Sequence, residues 1–203
     1  MKKLFLLVAL LAAAPAVFAQ DYYGLPDYGL RKNTTRIEFY GGLALPKNNW
    51  KDVIGTTGWT AGIGFQRNVL NFLSFGIDGN YTQFGDGNNS SEKQFKRTGI
   101  ATGLVTGRVN FFPSQATRVY IPVGVGIGHA FATKQIGDSR TTYNGTDLAA
   151  MIGAGMEFDI DDEWMFGIEG RYYLIKMADE IKDNFGKNRM HFTNIMLKFG
   201  YRF

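Results

Sequence analysis

The chain has no cysteine among its 203 residues, which excludes disulfides, thiolate metal sites, a cysteine nucleophile and a lipoprotein anchor. Beyond the N-terminal segment it has no run of ~18 consecutive apolar residues, so no membrane-spanning helix is expected. Histidine occurs only twice, as His129 and His191, which leaves few candidates for general-base chemistry. Charge of one sign is also scarce. The formal excess is +4, two of it from Lys2 and Lys3, and no Lys/Arg cluster gathers on one face, so no nucleic-acid partner is expected. What the chain does have is glycine, 26 residues against a usual ~7%, and 15% aromatics. That pairing disfavours helices and favours strands.

The first nineteen residues have the form of an export signal. Lys2 and Lys3 precede an apolar stretch from Leu4 to Ala14, and Val17-Phe18-Ala19 places small residues where cleavage after Ala19 would require them. The apolar run is shorter than the ~20 residues of a spanning helix. Residues 20–35 are polar and turn-rich and are expected to form a short periplasmic tail.

From Arg36 the residues alternate with period two in eight stretches: 36–46, 58–67, 71–84, 95–112, 118–132, 148–160, 163–176 and 190–203. Most run ten residues or more, long enough to cross a bilayer at a tilt. Tight turns are expected around Asn68 to Leu70, at Pro113 to Thr117 and at Asp161 and Asp162. Between them lie long polar connections at 47–57, 85–94, 133–147 and 177–189, the last with a candidate helical turn from Asp179 to Phe185. Alternating long and short connections predict an all-β, eight-stranded, antiparallel up-and-down transmembrane barrel over residues 36–203. An even strand number closes the sheet and leaves no backbone edge in lipid.

One face of each stretch is apolar, as with Ile195, Leu197, Phe199, Tyr201 and Phe203 against Asn194, Met196, Lys198, Gly200 and Arg202. A soluble periplasmic barrel would show the same period with its apolar face turned inward. The glycine-rich polar face suits a cramped lumen, and the apolar face is too large and aromatic to fit inside a small barrel. Aromatics near the strand ends form candidate interfacial girdles, Trp59, Tyr81 and Phe131 at one level and Phe72, Phe111, Trp164 and Phe203 at the other.

The terminal run Leu197-Lys198-Phe199-Gly200-Tyr201-Arg202-Phe203 resembles the outer-membrane assembly signal, carried by Phe199, Tyr201 and Phe203. With the eight-stretch pattern, residues 36–203 resemble the small outer-membrane barrels of the OmpA/OmpX type, the broad outer membrane protein β-barrel domain group. The resemblance implies a monomer in outer-membrane lipid, inserted by the barrel-assembly machinery. With the sequence ending at Phe203, the peptidoglycan-binding domain of the longer OmpA proteins is not expected.

The inward face is predicted to carry Arg36, Arg108, Arg171, Lys198 and Arg202 together with Glu38, Asp78, Glu157, Asp159 and Glu169. Arg108 depends on β-stretch 4, where alternation is weak and a bulge would turn it outward. An eight-stranded barrel is just wide enough for side chains to fill, and charges in that space should pair. A salt-bridged, closed lumen is the leading expectation, with a narrow channel lined by the same residues as the alternative.

A lipid-modifying enzyme is a third reading. Neither histidine has a serine two residues on, the His-x-Ser arrangement of the lipid A deacylase family, and Thr193 is the one hydroxyl at that spacing. Gly124 to Gly128 lacks the helix a dinucleotide loop needs, and Trp164 occupies the glycine position of a calcium-loop match beginning at Asp159. No catalytic, cofactor-binding or metal residues are therefore assigned. Surface interaction falls to the polar loops, with Tyr143 and Phe185 as their few apolar handles.

Overall fold

Period-two alternation is realised as eight strands in a computed structural model describing residues 33–47, 57–84, 95–112, 116–136, 139–176 and 189–203. Side chains are described for all of these except 95–97, 134–136 and 139–140. The strands are β1 (Thr35–Pro46), β2 (Gly58–Leu70), β3 (Leu73–Phe84), β4 (Phe95–Phe111), β5 (Thr117–Ile136), β6 (Ser139–Asp159), β7 (Trp164–Lys176) and β8 (Arg189–Arg202). Each pairs antiparallel with its chain neighbours, and β1 pairs with β8 to close the barrel. Closure is sealed where Thr35 N–H donates to the Phe203 carbonyl at 3.0 Å and Phe203 N–H to the Thr35 carbonyl at 2.9 Å. The leader with Ala19, the tail as far as Lys32, the 85–94 connection, most of 47–57 and 177–189, and the candidate helical turn lie outside the described residues.

The two faces differ as membrane insertion requires. On β7, Met165, Glu169, Arg171, Tyr173 and Ile175 point inward and are buried, while Trp164, Phe166, Ile168 and Tyr172 point outward. Outside, Ile77, Val105 and Val125 lie side by side in register across β3, β4 and β5, at 62%, 63% and 66% exposure. Exposed aliphatics in a continuous belt are intolerable in water but are the normal lipid face of a barrel. Aromatic pairs flank the belt. Trp164 stacks on Phe199 at 4.9 Å near one end, and Tyr81 stacks on Phe131 at 6.0 Å near the other. Val125→Arg is accordingly expected to destabilise the inserted barrel by about 2–4 kcal/mol. The same change at exposed Thr142, above the belt, should cost little. A urea series read by heat-shifted gel mobility would separate the two.

Two boundaries depart from expectation. The β2–β3 turn falls at Asn71 and Phe72 rather than at Asn68 to Leu70. Asn68 is held in the strand because its Oδ1 accepts from the Ser74 hydroxyl at 2.7 Å, and the pairing resumes at Leu70 opposite Leu73 after an irregularity. The expected 133–147 loop is instead a hairpin, with β5 running to Ile136 and β6 starting at Ser139. Its polarity suggests a loop only if every strand needs an apolar face. Above the lipid that requirement lapses, and Thr133, Thr141, Thr142 and Tyr143 are strong strand formers. Tyr143 is also not a free loop handle, since it packs half-buried against the interior cluster at the loop end.

Candidate functional site: the barrel interior

Side chains fill the interior in successive layers. Nearest the chain termini, Arg118 on β5 is fully buried and bonds both Glu157 and Asp159, its Nη1 reaching Asp159 Oδ2 at 2.5 Å. Arg202 Nη2 donates to Asp159 Oδ1 at 2.7 Å. One step further in, Glu157 receives Arg36 Nη1 at 3.2 Å, Arg118 Nη2 at 3.0 Å and Arg108. Arg108 also reaches Glu38 Oε1 at 3.0 Å, and Arg36 Nη2 donates to Gln66 Oε1 at 2.7 Å.

Lys198 joins this layer to the next, lying 2.6 Å from Glu38 Oε2 and 2.7 Å from Glu169 Oε2. Glu169 also accepts from the Tyr120 hydroxyl at 2.7 Å and pairs with Arg171. Arg171 Nη1 continues to Asp78 Oδ1 at 2.9 Å, where the Tyr40 hydroxyl donates at 2.7 Å. All ten charged residues anticipated for the lumen face inward. Arg108 is among them, since β4 keeps an unbroken register with β3 from Leu73↔Val109 to Phe84↔Thr98.

The network is denser than a list of charges suggests, because aromatic rings are built into it. The Arg108 guanidinium lies 3.3 Å from the Tyr120 ring centroid, and that of Arg171 lies 4.4 Å from Tyr40. Such stacking orients the planar fork while its edges bond carboxylates. The rings rest on glycines. A Cβ at Gly62 would stand 2.4 Å from the Tyr40 ring, and one at Gly155 would stand 2.4 Å from the Tyr120 ring. This is the physical use of the glycine-rich inner face at these two positions.

Above the charges the chemistry changes. Thr60, Asn80, Thr82 and Asn194 form a neutral layer, with Asn80 Nδ2 and Asn194 Nδ2 both donating to Thr60 Oγ1 at 2.8 and 3.0 Å. Beyond it the lumen is apolar. Phe84, Ile100, Tyr173, Ile175, Met190 and Phe192 are buried together, with Phe192 stacked on Tyr173 at 4.9 Å and edge-on to Phe84 at 5.4 Å.

Arg118 and this apolar layer are the residues that sequence reasoning missed. Arg118 shares the parity of Tyr120 and so was already on the inward face. It stands beside a turn, where alternation gives the weakest guide. Met190 and Phe192 share the parity of Lys198 and Arg202, and a level-by-level reading would have placed them together.

Both histidines sit on the outer surface near the loop end, each beside a hydroxyl from a neighbouring strand. His129 Nδ1 lies 2.7 Å from Thr146 Oγ1, and His191 Nδ1 lies 2.7 Å from the Tyr172 hydroxyl. Among the described residues neither ring is bonded to a carboxylate that would orient it as a base. Asp161, in the sequence that superficially matches a calcium loop, accepts the Glu163 and Trp164 amides at 2.8 and 2.7 Å and so shapes the β6–β7 turn.

A closed antiparallel barrel with an aliphatic outer belt and a polar, ion-paired inner face defines an integral membrane β-barrel of the outer-membrane class. The chain belongs to the outer membrane protein beta-barrel domain family, whose sequence model matches residues 4–203. Membership implies an outer-membrane location. Its fold is similar to that of Neisserial surface protein A, with a TM-score of 0.62 at 11% identity over 85% of this chain and all of the other. It is also similar to OprG from Pseudomonas aeruginosa, with a TM-score of 0.55 at 13% identity over 86% of this chain and 98% of the other. Ail, the attachment invasion locus protein of Yersinia pestis, gives 0.50 at 17% identity over 85% of this chain and all of the other. At such identities the likeness concerns the fold alone. No curated protein matches the chain.

Proposed function

We propose that this protein is a closed barrel that acts at the cell surface through its extracellular connections, in a structural or adhesin-like role. The observation carrying this reading is the filled interior. Four arginines, Arg36, Arg108, Arg118 and Arg171, are each at most 1% exposed and paired with carboxylates. A second, apolar layer built on Phe84, Tyr173 and Phe192 lies across the same lumen. A permeant ion would have to displace both, and eight strands leave little spare width. The hairpin raised by the long β5 and β6 strands supports a surface role, since binding on rigid scaffolds concentrates in such projections. In this reading the chain reaches the membrane as a precursor cleaved after Ala19. The barrel-assembly machinery then inserts it as a monomer.

Single-channel recording of the refolded protein in a planar bilayer tests the proposal, with heat-shifted gel mobility as the folding check. Folded protein is expected to be electrically silent. Steady conductance would overturn the closed-lumen reading and make the interior charges selectivity residues.

A further inference from the structure

The end of the barrel where β1 begins and β8 finishes exposes apolar side chains past the lipid belt. Phe65 on β2 lies 6.5 Å from Phe203, at the level where β8 ends. Arg67, the next outward residue of β2, is exposed, and a charge is costly inside the belt, so the lipid stops here. Val69 and Leu70 nevertheless follow, and both are exposed. Phe72 in the same turn and Phe111 and Phe112 at the end of β4 extend the patch. Asn110 N–H joins the two parts by donating to the Phe72 carbonyl at 2.7 Å. Phe112 holds its backbone in the left-handed region at φ 57°, rare for an aromatic residue, and stays exposed. The β6–β7 turn at the same end is acidic instead, at Asp161, Asp162 and Glu163.

The chain enters the barrel beside this patch. Asn33 N–H donates to the Asn68 carbonyl at 2.8 Å, Asn68 N–H donates to the Thr34 carbonyl at 2.9 Å, and Asn33 takes φ 67°. Just before it the sequence repeats one triplet, Tyr23-Gly24-Leu25 and Tyr28-Gly29-Leu30. We infer that these two Tyr-Gly-Leu units dock on the apolar patch, making the N-terminal tail a strap across the β2–β3 turn and the foot of β4. The inference rests on cleavage after Ala19, part of the reading above, since it needs a tail rather than a leader. Reach allows it. Tyr23 lies ten residues before Asn33, up to ~33 Å of extended chain, whereas β1 to β4 is three strand spacings of ~4.8 Å. Tethering favours this occupant over a separate partner. A segment on a short linker meets its site at roughly millimolar effective concentration, so even weak apolar contacts suffice. The strap takes Val69, Leu70 and Phe112 out of water where no lipid covers them.

The chain has no cysteine of its own, so engineered disulfides report where the tail lies. The full precursor is expressed, exported and purified from the outer membrane in detergent, carrying Tyr22→Cys with either Phe112→Cys or Ile160→Cys. Tyr22 stands outside both triplets. Phe112 and Ile160 are both exposed and follow β4 and β6, each three strands from β1 in opposite directions round the barrel. Y22C/F112C is expected to oxidise about tenfold faster than Y22C/I160C. Adding Leu25→Ser, Tyr28→Ser and Leu30→Ser should bring the two rates together. Equal rates with the triplets intact would overturn the strap. A preference that survives the serine changes would overturn apolar docking and assign the bias to the turn at Asn33. Disulfides between separately made Y22C and F112C chains, formed as fast as in the double variant, would overturn it in favour of a second copy. The mass of the purified protein reports cleavage after Ala19 separately, and an uncut leader would overturn the reading on which the strap rests. Heat-shifted mobility confirms that each variant barrel is folded.

Discussion

Glu157→Ala is expected to destabilise the folded barrel by about 3–5 kcal/mol, the cost of leaving buried charges without their partner. Glu157 is the point where Arg36, Arg108 and Arg118 converge. Among the described residues Arg36 and Arg108 would then keep Glu38 as their carboxylate partner, and Arg118 would keep Asp159. Three guanidinium groups would then crowd a water-poor space with mutual repulsion. Glu157→Gln should fare little better, since its amide N–H groups would point donors at donors. A shift of the urea midpoint, read by heat-shifted mobility, measures the effect. Combining Glu157→Met with Arg108→Met should recover part of the loss, because removing both ends of a buried pair costs less than removing one. A midpoint unmoved by Glu157→Ala would mean that the lumen is well hydrated and the pairs are screened. That result would also weaken the closed-lumen proposal.

Gly155→Ala is the second change with a large expected effect, and it acts through volume rather than charge. The added methyl carbon would fall 2.4 Å from Tyr120 Cζ and 2.5 Å from its hydroxyl oxygen. The ring cannot retreat inward, because the Arg108 guanidinium lies against it and its hydroxyl is bonded to Glu169. Overpacking of this kind costs about 1–3 kcal/mol, and losing the hydroxyl bond to a carboxylate adds about 1.5–3 kcal/mol. Tyr120→Leu in the Gly155→Ala background should be less destabilised than the sum of the single changes, since the smaller side chain vacates the collision. Strict additivity in that cycle would show that the glycine is not there for the ring.

Much of this architecture was legible in period-two alternation. On β8, Ile195, Leu197 and Phe199 face outward while Asn194, Lys198 and Arg202 face inward, as the parity of the positions requires. The strand count was legible in the same alternation, since eight separate stretches carry it and eight strands close the sheet. Connections were less legible. The β5–β6 hairpin reads as a loop because its threonines and asparagine are polar. Polarity tells where water is, and strands continue in water when neighbouring segments pair.

The interior was legible as a set of residues but not as an arrangement. Parity assigns Arg36, Glu38, Glu157 and Arg108 to one face, yet which carboxylate meets which guanidinium depends on strand stagger around the closed barrel. Arg36 and Glu157 stand 121 positions apart in the chain and meet only across the lumen. The same holds for the apolar layer. Phe84, Ile100, Tyr173 and Phe192 come from four strands and share a level only once shear sets their heights. Alternation, glycine content and the apolar outer face thus determined by themselves that the chain forms an eight-stranded membrane barrel, since period and burial are local properties of a strand. Only the tertiary structure decided that charges pair in one half of the lumen and that Phe84, Ile100, Tyr173 and Phe192 meet in the other. Those contacts are set by the register between strands, which no single strand encodes.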